Sequence, residues 1–188
     1  MLKNRLETVG YEMEKVELRK AKRTDIDTIR NIYWKLLDSS EEYARILQWK
    51  KNIYPVDSDW MGYIDREEMY LIYYGSELVG AVALSKKRAK SYSDIRWAID
   101  ALDDETAVIH LFVIDPECQG KGIATKTLDE LIKIAKETNK KAVRLDAIGT
   151  NKPAQKLYEK YGFVNCGKAM EYYESTGKTE FIYYEYVV

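Results

Sequence analysis

Residues 107–114, AVIHLFVI, are apolar at every position but His110. A short run of this kind, bounded by turn residues, reads as a strand covered on both faces, the kind found inside an α/β sheet. The segment DPECQGKGIAT follows it directly, and beyond that Leu128, Leu131, Ile132 and Ala135 recur at i, i+3, i+4 and i+7. That spacing gives an amphipathic helix with one buried stripe. A buried strand that feeds a helix through a glycine-containing loop commits the chain to an α/β fold. It also marks the loop as a place where backbone N–H groups can meet a phosphate.

The rest of the chain fits around this unit. Met1–Lys15 is polar and weakly patterned and reads as an N-terminal extension, leaving 16–188 as one domain. Val16–Ala21 is a strand. Thr24 with Asp27 signals a helix start, continued by Ile29, Ile32, Tyr33, Leu36 and Leu37. A second helical stretch runs from Ser40 to Trp49. Asn52–Tyr63 carries proline, glycine and acids and reads as a long loop. Met69–Ser85 is two β-rich runs around Gly75, a hairpin. Residues 86–100 have no clear period. KAVRLDAI is the next strand, and NKPAQKLYEKYGF is a helix with Pro153 in its first turn and Gly162 just past its end. Two aromatic strands close the chain around the turn Ser175–Lys178. The expectation is a single α/β domain with a mixed, mostly antiparallel sheet flanked by helices.

Charge and rare residues exclude several functions. Lys plus Arg is 30 and Asp plus Glu is 31, so a dedicated nucleic-acid binder is excluded. The cluster Lys86-Lys87-Arg88 with Lys90 reads as a solvated loop. No apolar run is long enough for a bilayer and no leader pattern follows Met1, so the expectation is a cytoplasmic protein without membrane contact. Cys118 and Cys166 have neither metal-site nor disulfide spacing, and His110 is the only histidine, so no metal is expected. The 16 tyrosines suggest an aromatic-lined interior or cleft.

Two familiar phosphate loops fail on DPECQGKGIAT. The nucleotide-triphosphate loop needs Lys followed by Ser or Thr, but Lys121 is followed by Gly122. The dinucleotide fingerprint wants Gly or Ala where Thr125 stands, and Asp115 to Gln119 are too many residues for its tight turn. Gln119-x-x-Gly122-x-Ala124 matches instead the Q/R-x-x-G-x-G/A pattern of an acyl-coenzyme A site. Together with NKPAQKLYEKYGF at the right distance, the segment HLFVIDPECQGKGIATKTLDELI resembles the GCN5-related N-acetyltransferase superfamily. The clear likeness covers residues 107–163, with a weaker one reaching back through YLIYYGSELVGAVAL to ELRKAKRTDID.

The resemblance implies an acetyl-coenzyme A-dependent N-acetyltransferase with that family's fold. It implies a cofactor pyrophosphate over Gln119, Gly120, Lys121, Gly122, Ile123, Ala124 and Thr125. Chemistry agrees, because helix-start N–H groups lack partners and glycine admits close approach. It further implies a pantetheine arm pairing with the backbone of Phe112, Val113 and Ile114 as an added strand would. Asn151, Ala154 and Tyr158 would meet the arm from the facing segment. Tyr158 shares a helical face with Ala154, Leu157 and Tyr161, as a packing residue would; the resemblance makes it the proton donor to the departing thiolate. The base stays open between His110, on the central strand, and Glu185, which interrupts FIYYEYVV. Substrate should enter at WKKNIYPVDSDW and the tyrosine-rich C-terminus. Trp49, Tyr54, Asp57 and Asp59 there could frame a small cationic amine, though a peptide amine fits the resemblance too. Cys118 reads as incidental. Also open are monomer against homodimer, and a non-catalytic acyl-coenzyme A sensor on the same fold.

Overall fold

The computed structural model describes residues 15–86, 90–173 and 176–188. The extension lies outside them but for Lys15, as do Lys87 and Arg88 of the basic cluster and Ser175 of the last turn. In chain order the elements are β1 (Val16–Lys20), α1 (Ile26–Ser39), α2 (Glu41–Leu47), α3 (Asp57–Asp65), β2 (Met69–Tyr74), β3 (Glu77–Ser85) and β4 (Thr106–Ile114). Then come α4 (Ile123–Glu137), β5 (Ala142–Ile148), α5 (Lys152–Tyr161), β6 (Val164–Tyr173) and β7 (Gly177–Val187). The strands form one sheet in the order β1-β2-β3-β4-β5-β7-β6, antiparallel throughout except where β4 and β5 run parallel. The expected single α/β domain with a mixed, mostly antiparallel sheet is the one observed.

Each face of the sheet has its own core. Ile123, Leu128, Leu131, Ile132 and Ala135 of α4 pack with Tyr158 and Phe163 on one face. Ile29, Tyr33 and Leu36 of α1 pack with Trp60 and Ile64 of α3 on the other. Helix α1 starts later than the Thr24 signal suggests, because a 3-10 turn precedes it and Asp25, not Thr24, accepts the Lys22 N–H at 2.7 Å. Ser40 caps α2 by accepting the Glu42 N–H at 3.0 Å. This helix ends at Leu47, where Gln48 turns left-handed.

The loop expected at Asn52–Tyr63 is corrected: from Asp57 onward it is helix α3. Pro55 and Gly62 looked like breakers, but Pro55 lies ahead of the helix. Asp59 closes the first turn by accepting the Val56 N–H at 2.9 Å, and Trp60 and Ile64 give the helix a buried face. Acids at a helix N-terminus suit its dipole, which is the local role of Asp57 and Asp59.

The middle of β4 departs from regular pairing. Ala81 faces Val113 while Ala83 faces His110, so β4 carries one extra residue there, a bulge. Leu111 within it has φ 51°, a left-handed value that is costly for a leucine. Buried Tyr33 holds the distortion by donating its hydroxyl hydrogen to the Leu111 carbonyl. The parallel ladder to β5 runs from Thr106↔Ala142 to Ile109↔Leu145 and stops at the bulge. Beyond it β4 stays paired with β3, but its other edge faces an opening rather than β5.

Gly80 permits this geometry from the β3 side. A Cβ at Gly80 would sit 2.3 Å from the Val113 carbonyl oxygen. Gly80→Ala is therefore expected to push β4 outward and cost about 1–3 kcal/mol of stability, read from the urea midpoint. An unchanged midpoint would mean that the bulge yields freely.

Candidate active site

Two cavities open where β4 leaves β5. The first, about 370 Å³, runs from the glycine loop along Phe112, Val113 and Ile114 to Asn151, Ala154 and Tyr158. The second, about 330 Å³, lies on the far side of Tyr158 and is lined by Trp49, Tyr54, Tyr63, His110, Asp146, Tyr173 and Phe181 among others. Leu47, Phe112, Asn151, Ala154 and Tyr158 line both.

The loop between β4 and α4 is shaped for close approach. Gly120 and Gly122 both have φ 76°, and nothing lies within 4 Å of where either Cβ would stand. Gly122 caps α4, whose first internal bond runs from Lys126 N to the Gly122 carbonyl, so the N–H groups of Ile123, Ala124 and Thr125 have no partner within the helix. Lys35 braces the loop through Asp115 at 2.8 Å and Glu117 at 2.7 Å. Gln119 is tied inward: its amide donates to the Ile114 carbonyl at 3.1 Å and its carbonyl oxygen accepts from Tyr43 at 2.5 Å. Its side chain thus fixes the loop to the strand end. Lys121 is exposed.

Asn151 caps α5, accepting the Ala154 N–H at 3.2 Å. Two turns on, Tyr158 is 7% exposed, its ring packed against Phe163 (5.7 Å) and Tyr184 (6.0 Å). Among the described residues its hydroxyl makes no hydrogen bond, and burial, with Asp146 nearby, holds the phenol well above its usual pKa. It keeps its proton at neutral pH. Burial also raises Cys118, which leaves that thiol a poor nucleophile. Tyr63, pushed up to about 12 by burial, lies with its ring 5.8 Å from that of His110.

The structure does not bring every expected residue here. Trp49, Tyr54 and His110 line the second cavity. Asp57 binds Arg30 at 2.5 Å and Asp59 caps α3, and neither lines either cavity. Glu185 is also elsewhere. It is fully buried on β7, pairs with Arg144 of β5 at 2.8 Å and accepts the Ile99 N–H at 3.0 Å. A carboxylate so engaged has no route to an amine in the cavity; its role is to neutralise Arg144. Glu185→Ala would leave that guanidinium buried without a counter-charge, at an expected cost of about 3 kcal/mol in a denaturant titration. A loss below about 1 kcal/mol would show that water reaches Arg144.

Asp146 is a residue of the second cavity that the sequence reading did not name as a site residue. It ends an ordinary-looking alternation in AVRLDAI, yet its carboxylate faces the second cavity and accepts a hydrogen bond from buried Tyr92 at 2.6 Å. The continuation of the β4–β5 register beyond Ile109↔Leu145 would have aligned it with His110.

A glycine-opened helix, a strand that leaves its parallel neighbour, and two cavities that share Tyr158 among their walls define the acetyltransferase class of α/β domain. The chain belongs to the Acetyltransferase (GNAT) family, whose family model matches residues 26–163. It is 24% identical over 147 residues to an uncharacterized N-acetyltransferase of Methanocaldococcus jannaschii, covering 78% of this chain and 59% of that protein, so it spans less than two thirds of that relative. A GNAT-family acetyltransferase from Streptococcus agalactiae superimposes with a TM-score of 0.75 at 20% identity, over 92% of this chain and 95% of that one. The microcin C7 self-immunity acetyltransferase, solved with acetyl-coenzyme A and AMP, gives 0.64 at 17% identity, over 93% of each chain. At such identities these structures show the shared fold. Among the described residues no helix is long and apolar enough to cross a membrane, and no cluster of three metal-ligating side chains occurs.

Proposed function

We propose that the protein is an acetyl-coenzyme A-dependent N-acetyltransferase that acetylates a primary amine of a small molecule by direct transfer, with both partners bound together. The observation that carries this reading is the junction of the two cavities at Phe112, Asn151, Ala154 and Tyr158. The residues fit the cofactor: the loop leaves open space above Gly120 and Gly122, and α4 offers unpaired N–H groups to a pyrophosphate. On its β5 side the backbone of Phe112–Ile114 has no ladder partner, which suits an amide-bearing arm. Bound there, acetyl-coenzyme A supplies the acetyl group as an activated thioester.

The chain's own groups do the rest. Walls on both sides bring amine and carbonyl together and limit water, so positioning contributes most of the rate. Of the two candidate bases only His110 lines the second cavity, so the reading gives it the proton that the ammonium must lose before attack. Tyr158 holds the proton that the departing sulfur takes up. The direct test is free-thiol release from acetyl-coenzyme A across a panel of small primary amines. Release that depends on added amine is the expected result; cofactor binding with no release for any amine would make the protein a binding module instead.

A further inference from the structure

The proposed transfer leaves one charged group of the second cavity without a task. Asp146 is half-buried and faces the cavity. Tyr92 donates to its Oδ1, and the backbone N–H of Asp146 itself also favours the charged form. Arg144, two residues earlier on β5, is committed to Glu185, and no lysine or arginine lines the cavity among the described residues. A carboxylate withdrawn from water with no fixed cation, only the titratable His110 beside it, costs stability. Burial indeed raises its pKa, with the neighbouring His110 and the Tyr92 hydrogen bond acting against that rise.

The surroundings show that this carboxylate is deliberately held. Tyr92 reaches it from the segment 90–99, which is clamped across β5 and β7. Trp97 donates its indole N–H to the Tyr92 carbonyl at 3.0 Å, and the Arg144 guanidinium lies 4.3 Å from the Trp97 ring. Glu185 and Arg144 together grip the backbone of Ile99. Around the carboxylate the walls are aromatic: Trp49, Tyr54, Tyr63, Tyr173 and Phe181. Such walls suit an apolar body and the flank of a cation; Asp146 is the one carboxylate among the lining residues, and the nearby Glu171 is taken up by the Tyr173 and Tyr183 hydroxyls.

Resting on the N-acetyltransferase reading, we propose that Asp146 is the ammonium-binding residue of the acceptor site, and that the acceptor is a small primary monoamine with an aromatic or bulky apolar body. A polyamine would strand its further ammonium groups against the rings, and an anionic molecule would meet the Asp146 charge. Tyr92 acts through Asp146 as a positioning residue, fixing the direction of the second oxygen.

Calorimetric titration with 2-phenylethylamine tests this, on the bare protein and on protein saturated with coenzyme A, beside spermidine and 3-phenylpropionate as matched probes. 2-Phenylethylamine should bind at least about tenfold tighter than either. Asp146→Asn keeps the shape and can still accept the Tyr92 hydrogen; it should weaken amine binding at least about 30-fold and leave coenzyme A affinity unchanged. Tyr92→Phe keeps the ring and should weaken the amine several-fold, again without touching coenzyme A. A wild-type protein that prefers spermidine or 3-phenylpropionate, or does not bind 2-phenylethylamine, overturns the proposal. So does an Asp146→Asn variant that binds the amine as well as wild type. If 2-phenylethylamine binds through Asp146 while coenzyme A does not bind, the ammonium site stands and the acetyl-transfer reading falls.

Discussion

Gly122→Trp is expected to abolish acetyl-coenzyme A binding while leaving the protein folded. Gly122 has φ 76° and caps α4, and nothing lies within 4 Å of its missing Cβ. A side chain placed there starts into the open space over the loop, where the reading puts the pyrophosphate. The left-handed backbone costs any non-glycine residue about 1–2 kcal/mol, so a modest fall in melting temperature accompanies the change. Blocking the N–H groups of the helix start should cost far more in binding, a Kd raised at least about 1000-fold, or about 4 kcal/mol. Gly122→Ala separates the two effects, since it carries the backbone cost with little obstruction and should retain most of the affinity. Calorimetry with a melting curve on each variant reads both. Unchanged affinity in Gly122→Trp would move the cofactor off this loop.

Tyr158→Phe should lower kcat by about 10²–10³, within the range for a lost general acid, and leave KM for acetyl-coenzyme A within about threefold. The structural cost should be small. The ring contacts with Phe163 and Tyr184 remain, and the hydroxyl gives up no hydrogen bond among the described residues. That separates the two roles the residue could have. A packing tyrosine would show little change in kcat, whereas a proton donor shows its loss in kcat alone. Because burial raises this phenol's pKa, it stays protonated as pH rises through the neutral range, so Tyr158 should contribute no alkaline fall in rate there. Full kcat in the phenylalanine variant would return Tyr158 to the core.

The strand–loop–helix unit at the centre was legible because local pattern and tertiary role coincide. An apolar run buried on both faces, a glycine pair and a four-residue apolar stripe need no distant partner to be read. Helix α3 was hidden for the opposite reason. Its acids and Gly62 have loop-like composition, and only the burial of Trp60 and Ile64 against α1 reveals the helical face. Glu185 looked chemical because it broke an apolar run; the residue that explains it, Arg144, lies 41 positions earlier and meets it only through the β5–β7 register. Asp146 was the converse. One polar residue in an alternating strand carries no local signal, and its importance comes from where β4 diverges from β5. The bulge that causes the divergence depends on Gly80 and Tyr33, neither of which marks itself in the sequence.

The central claim is that the cleft from the glycine loop to Tyr158 holds the cofactor with its reactive end at the second cavity. A crystal structure of the coenzyme A complex tests it most directly. The account predicts pyrophosphate density over the N–H groups of residues 120–125, the arm along Phe112–Ile114, and the thiol beside Tyr158. Density that enters elsewhere, or an arm that leaves the Phe112–Ile114 backbone untouched, would contradict it.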